Sequence, residues 1–236
     1  MGGTLALGGA GAVGSPGKMA GQALPPAEEL RLGAACAASA YALDGAQILE
    51  KVDRNLAPAS WGDLTDLPAA VPTLAYDRSF LDRETAVADS AYGQGELQVT
   101  PLYMAMLAAT VANEGMMMRP YIVERAVTPG GEVLYQAQPN LLRVPIGRQT
   151  SRTLTALLVN TVDNGYGWRA KIDGVAVAGK TGTAEPGTGN PHAWFIAFAP
   201  ADSPRYAVAI VVEHGGHGSR VAAPIAKIVL EAALGR

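Results

Sequence analysis

The chain has 236 residues, 49% of them hydrophobic and 17% charged, with a formal net charge of −3. That composition excludes a disordered polymer and supports one domain of ordinary bulk, or at most two small ones. There is no long basic run to displace phosphate counterions, which excludes nucleic acid as a partner, and the single cysteine, Cys36, excludes an internal disulfide.

The opening stretch, MGGTLALGGAGAVGSPGK, is Gly-rich and weakly apolar and lacks the basic start of a signal peptide. No run in the chain is apolar enough to span a bilayer, so a soluble chain is expected. A helix is predicted over residues 27–52, after the break at Pro25 and Pro26. Residues 53–90, with Pro58, Pro68 and Pro72, read as a long irregular excursion. Thr100 and Pro101 supply an N-cap and a first helical residue, and Leu102, Met106, Ala109 and Asn113 follow near helical spacing up to Gly115. Two strands, 119–127 and 132–136, flank the turn Thr128-Pro129-Gly130-Gly131. Ser151 is predicted to open a further helix with Leu154, Leu157, Leu158, Thr161 and Val162 on one face.

Three strands come next, over 175–183, 193–199 and 206–213, joined by the short links PGTGNP and PADSPR that suit antiparallel neighbours. A last helix over 223–234 carries Pro224 in its first turn. Helices first and antiparallel strands later make an α+β fold, a single domain over residues 1–236.

The stretch DGVAVAGKTGTAE (173–185) satisfies two patterns. From Gly174 to Thr181 it matches G-x-x-x-x-G-K-T, the phosphate-cradling loop of nucleotide-binding enzymes. That loop requires flexible residues before the lysine and a helix starting at it. Val175, Ala176, Val177 and Ala178 read as a strand instead, and Gly182, Pro186 and Gly187 oppose a helix. The nucleotide reading is therefore set aside. The other pattern, K-T-G-T, sits well on a strand. A two-residue period puts Thr181 and Thr183 on one face and Lys180 and Gly182 on the other. Lys180 offers charge for a carboxylate, the threonines offer hydroxyls, and Gly182 allows close backbone approach.

Residues 90–124, SAYGQGELQVTPLYMAMLAATVANEGMMMRPYIVE, resemble the corresponding stretch of class B penicillin-binding proteins. DGVAVAGKTGTAE is similar to the third motif of that family, HAWFIAFAPADSPRYAVAIVVE (192–213) to its next hairpin, and VAAPIAKIVLEAAL (221–234) to its closing helix. The likeness is best over 90–236. It implies a β-lactamase/transpeptidase-like fold, an antiparallel sheet flanked by helices, and peptidoglycan cross-linking through an acyl-serine intermediate that β-lactams trap. It also implies the D-Ala-D-Ala end of a stem peptide as substrate, with Lys180, Thr181, Gly182 and Thr183 binding it and the Thr183 N–H helping to hold the oxyanion. Neither cofactor nor metal is implied. Action at the extracytoplasmic face of the plasma membrane, cell-wall synthesis partners and a role in division or elongation are implied as well.

The family's nucleophile lies in S-x-x-K, for which Ser15-Pro16-Gly17-Lys18 is the candidate, with Ser15 acylated and Lys18 its base. Its S-x-N motif should fall within GAACAASAYALDGAQ (33–47), where no register from Ala35, Cys36 or Ser39 supplies the asparagine. The family's membrane anchor, pedestal domain and early strands have no counterpart in so few residues. The chain thus reads as an N-terminally truncated or degenerate member, an active enzyme or an impaired peptide-binding module on the same fold. Among smaller signals, His214 and His217 beside Glu213 have metal-like spacing but read as a solvated glycine connection. Trp194 and Phe195 are predicted to divide between core and cleft rim, the Met116–Met118 run to fill gaps, and Cys36 to be a buried thiol.

Overall fold

The computed structural model describes residues 70, 72, 73 and 75–236. Ser15, Lys18, Cys36, the 33–47 window and the 27–52 helix lie outside the described residues.

The excursion expected over 53–90 ends early. A 3-10 turn at Arg78–Asp82, capped by Asp77 accepting from the Ser79 N–H at 2.9 Å, leads into helix α1, Glu84–Ala91. The prolines stop at Pro72, and ETAVADSA contains no helix breaker.

Helix α2, Pro101–Ala112, starts where capping chemistry places it: Thr100 Oγ1 accepts from the Tyr103 N–H at 3.1 Å. Its buried face follows the predicted spacing only at Met106. Tyr103, Met104, Met106, Ala108 and Thr110 are buried, whereas Leu102 is 38% exposed. The helix is apolar nearly all round, so spacing alone could not select a face.

The first strand of the next hairpin is shorter than predicted. Strands β2 (Arg125–Val127) and β3 (Val133–Gln136) pair antiparallel. Pro120 has no N–H to give a ladder, and regular pairing starts only beyond it. The methionine run does more than fill a gap: β1 (Met117–Met118) pairs with β4 (Leu141–Arg143), a strand the sequence did not disclose, and Met117 is buried.

Helix α3 spans Arg148–Asn164, so it begins three residues ahead of Ser151, with Gly147 at the N-cap. Ser151 is not a cap. It is buried, and its Oγ donates to the Val111 carbonyl of α2 at 2.6 Å. Of the predicted inner face, Val162 is buried but Leu157 is 52% exposed.

Strands β5 (Ala178–Ala184), β6 (His192–Ala199) and β7 (Tyr206–Val212) form one antiparallel sheet in that order, and helix α4 (Ala222–Leu234) follows. The two faces of the sheet bury different helices. Ala184, Trp194, Ile196 and Val211 pack with Tyr103, Met104 and Met106 of α2, while Ala178 and Phe198 meet Ala108 of α2 and Leu158 and Val159 of α3. On the other face Ala193, Phe195, Ala197 and Ala199 pack on Ala222, Ala223, Ala226 and Leu230 of α4. Phe195 and Phe198 are fully buried, one on each face, and burial of such a side chain contributes about 1.5–3 kcal/mol. Trp194 is 2% exposed, so it belongs to the core and not to a cleft rim.

Candidate functional site

Strand β5 carries AGKTGTA and lies at one end of the three-stranded order. Its first glycine is required by packing. A Cβ at Gly179 would meet Phe195 Cζ at 2.6 Å and Cε1 at 3.0 Å, so the phenylalanine ring lies over bare backbone. In register, Lys180 faces Ile196, Thr181 faces Phe195, Gly182 faces Trp194 and Thr183 faces Ala193. Lys180 and Gly182 therefore share the α2 and α3 side of the sheet, and Thr181 and Thr183 share the α4 side. That division is the one the two-residue period predicts.

Among described residues, no strand pairs with the outer edge of β5. Lys180 is half-buried, and its Nζ donates to the Thr181 carbonyl at 2.9 Å. Burial holds its amine below the usual lysine range, because a desolvated ammonium favours losing its proton. A carboxylate placed beside it would oppose that shift, because an opposite charge favours the ammonium form. The two threonines, on the opposite face from the lysine, are half-buried, and Gly182 between them is buried. The cluster can thus offer an anion one cation and two hydroxyls from a strand edge.

The nucleotide pattern fails on this geometry. Strand β5 runs from Ala178 to Ala184, straight through the lysine where a phosphate loop needs a helix to begin. No helix among the described residues is long and apolar enough to cross a membrane.

Sequence reasoning missed two polar side chains. Tyr92 donates to Asp89 Oδ1 at 2.7 Å, and its phenol is pushed above the usual value by that bond first, then by desolvation and by the charges of Asp89 and Glu185. The second is His192, buried at the start of β6 opposite Ala184. Its Nδ1 accepts the backbone N–H of His214 at 2.9 Å. A lone histidine at a strand start gives no signal in sequence, since its partner is 22 residues away. His214 Nδ1 lies 3.0 Å from the Asn190 carbonyl, and the described residues contain no group of three or more His, Cys, Asp or Glu able to hold a metal.

Comparison with known proteins gives a consistent picture. The family model described as the penicillin-binding protein transpeptidase domain matches residues 66–231. The chain is 42% identical over 158 residues to the peptidoglycan D,D-transpeptidase PbpA of Mycolicibacterium smegmatis, a match covering 63% of this chain and 32% of that protein. Against stage V sporulation protein D of Bacillus subtilis it is 33% identical over 149 residues, covering 58% of this chain and 23% of the other. The crystal structure of penicillin-binding protein A from M. tuberculosis superposes with a TM-score of 0.70 at 35% identity, over 79% of this chain and 45% of that one. The same protein as its penicillin G acyl-enzyme complex gives a TM-score of 0.69 at 36% identity, over 79% and 42% of the two chains. The chain therefore spans less than half the length of each of these relatives.

Proposed function

Because the chain belongs to the penicillin-binding protein transpeptidase family, we propose that it is the part of a D,D-transpeptidase domain that binds the D-Ala-D-Ala end of a peptidoglycan stem peptide, and β-lactams in its place. The observation that carries this reading is the half-buried Lys180 ammonium on an edge strand, with Thr181 and Thr183 flanking Gly182 beside it. An extended peptide adds along such an edge with its terminal carboxylate at the lysine and the threonine hydroxyls. The Thr183 N–H is the candidate donor to the oxyanion.

The candidate nucleophile is Ser15, with Lys18 as its base. In this scheme the Ser15 Oγ attacks the carbonyl of the penultimate D-Ala and its proton passes to Lys18. The terminal D-Ala leaves with that proton, and an acyl-serine ester remains. The amine of a second peptide then attacks the ester and frees the serine. A β-lactam forms the same ester but retains its leaving group by the opened ring. The relative caught as a penicillin G acyl-enzyme supports this chemistry for the family. The site of action is the extracytoplasmic face of the membrane, where cell-wall synthesis proteins are the partners.

One observation favours a second reading, a peptide- or β-lactam-binding module that does not turn over. The 33–47 window lacks the asparagine that the S-x-N motif requires. A labelled-penicillin gel separates the two. Covalent label on the wild type that is lost in Ser15→Ala supports the enzyme. Reversible binding that is weakened in Lys180→Ala, without any covalent label, supports the module, and absence of both overturns the proposal.

A further inference from the structure

A buried histidine outside the K-T-G-T cluster connects two loops at the end of the strand that carries it. His192 is 7% exposed and sits opposite Ala184, the residue after Thr183. Its Nδ1 accepts the His214 N–H at 2.9 Å, so the proton of the neutral ring resides on Nε2. His214 adopts φ 53, a left-handed conformation that a residue with a β-carbon reaches only when its surroundings hold it there. Its own Nδ1 lies 3.0 Å from the Asn190 carbonyl, which can only accept, so His214 carries its proton on Nδ1. The two rings are 4.7 Å apart at 57°. A third bond, Gly216 N–H to the Pro191 carbonyl at 2.8 Å, completes the connection between the β5–β6 turn and the loop before α4.

That loop delivers Gly218 onto the active strand. A methyl group at Gly218 would overlap the carbonyl oxygens of Trp194 and Gly182 and come within 3.2 Å of the Gly182 nitrogen. Loop backbone thus presses on the glycine of K-T-G-T itself. The Gly218 carbonyl also accepts from Ala222 and Ala223 at 3.0 and 2.9 Å, which fixes the loop to the first turn of α4.

We propose that His192 is a positioning residue for the K-T-G-T strand: by accepting the His214 N–H it holds the 214–218 loop against Gly182 and so sets where the end of that strand lies. It touches no substrate and acts through the loop. The proposal rests on the reading of Lys180, Thr181 and Thr183 as the substrate-binding strand.

Two measurements on the whole chain test it. A long-range proton–nitrogen spectrum of the histidine rings should show His192 protonated on Nε2 and His214 on Nδ1; a proton on Nδ1 of His192 overturns the proposal. Amide hydrogen exchange should then speed up about tenfold at His214, Gly216 and Gly182 in His192→Ala, as loss of roughly 1.4 kcal/mol implies. In His192→Asn the carboxamide oxygen can take the place of Nδ1, and exchange should return to within about threefold of wild type. Unchanged exchange at Gly182 in the alanine variant, or equal loss in both variants, overturns the proposal. Covalent penicillin labelling should fall in the alanine variant and recover in the asparagine variant. A wild type that takes no label speaks against the enzymatic reading alone, and the ring tautomers and exchange rates still decide the role of His192.

Discussion

Lys180 Nζ donates to the carbonyl of its immediate neighbour Thr181, at 2.9 Å, while its side chain is half-buried against the sheet. The bond partly satisfies an ammonium that has lost water, and it holds the Lys180 amine against the backbone of the strand that carries both threonines. Replacing the charge should therefore separate binding from stability. Lys180→Met keeps the length and apolar stem and removes the desolvated ammonium. We expect its thermal midpoint to equal or exceed that of wild type, while affinity for a carboxylate-bearing β-lactam falls by about ten- to a hundredfold, the loss of a charged hydrogen bond of about 1.5–3 kcal/mol. Scanning calorimetry and a labelled-penicillin titration measure the two effects. A midpoint several degrees lower would show that the lysine is structural.

The same burial predicts a pH dependence. Desolvation lowers the Lys180 pKa in the folded chain, so between the folded value and the unfolded value of about 10.4 the unfolded chain holds more protons. Stability contributed by this group consequently rises as pH increases through that interval. Tyrosines titrate nearby, and Tyr103, whose phenol is pushed up chiefly by burial, acts in the opposite direction. Comparison with Lys180→Met removes that background. Urea unfolding of both proteins from neutral pH to pH of about 10 should show wild type gaining on the variant as pH rises. A constant gap refutes the assignment.

Gly179 beneath Phe195 supplies a steric prediction. With a Cβ placed 2.6 Å from Phe195 Cζ and 3.2 Å from the Ile196 carbonyl oxygen, Gly179→Ala must displace the ring or the strand. Overpacking of this kind costs about 1–3 kcal/mol. Phe195→Leu should relieve part of that cost, so that the double variant is more stable than the sum of the single changes predicts. Denaturant unfolding of the four proteins in the cycle decides it, and strict additivity would mean that the ring is not what the new methyl meets.

Legibility in the sequence followed the range of the interaction. The K-T-G-T strand was readable because its period, its flanking glycines and Pro186 all act within a few residues. Thr100-Pro101 was readable for the same reason, since a cap and its N–H are three residues apart. The face of α2 was not readable, because a helix apolar on every side buries whichever face the sheet and Met117 happen to meet. His192 was not readable either: its role exists only once the 214–218 loop has returned to it. Ser151 misled outright, because a serine near a predicted helix start has the chemistry of a cap whether or not it becomes one.

Ser151 gives a prediction that distinguishes those two roles. Val111 is the next-to-last residue of α2, so its carbonyl is among the four that a helix leaves without an internal partner, and Ser151 Oγ donates to it at 2.6 Å. If Ser151 were a helix N-cap, aspartate would serve as well as serine or better. As a buried donor to a carbonyl it cannot be replaced by aspartate, since a carboxylate has no proton to give and would face an oxygen in a site that excludes water. Ser151→Ala should cost about 1–3 kcal/mol by leaving the Val111 acceptor unsatisfied. Ser151→Asp should cost more than alanine, and Thr100→Asp, at a genuine cap, should be close to neutral. Parallel denaturant unfolding gives the order directly. A Ser151→Asp variant as stable as wild type would return Ser151 to the helix start and dissolve the contact that joins α2 to α3.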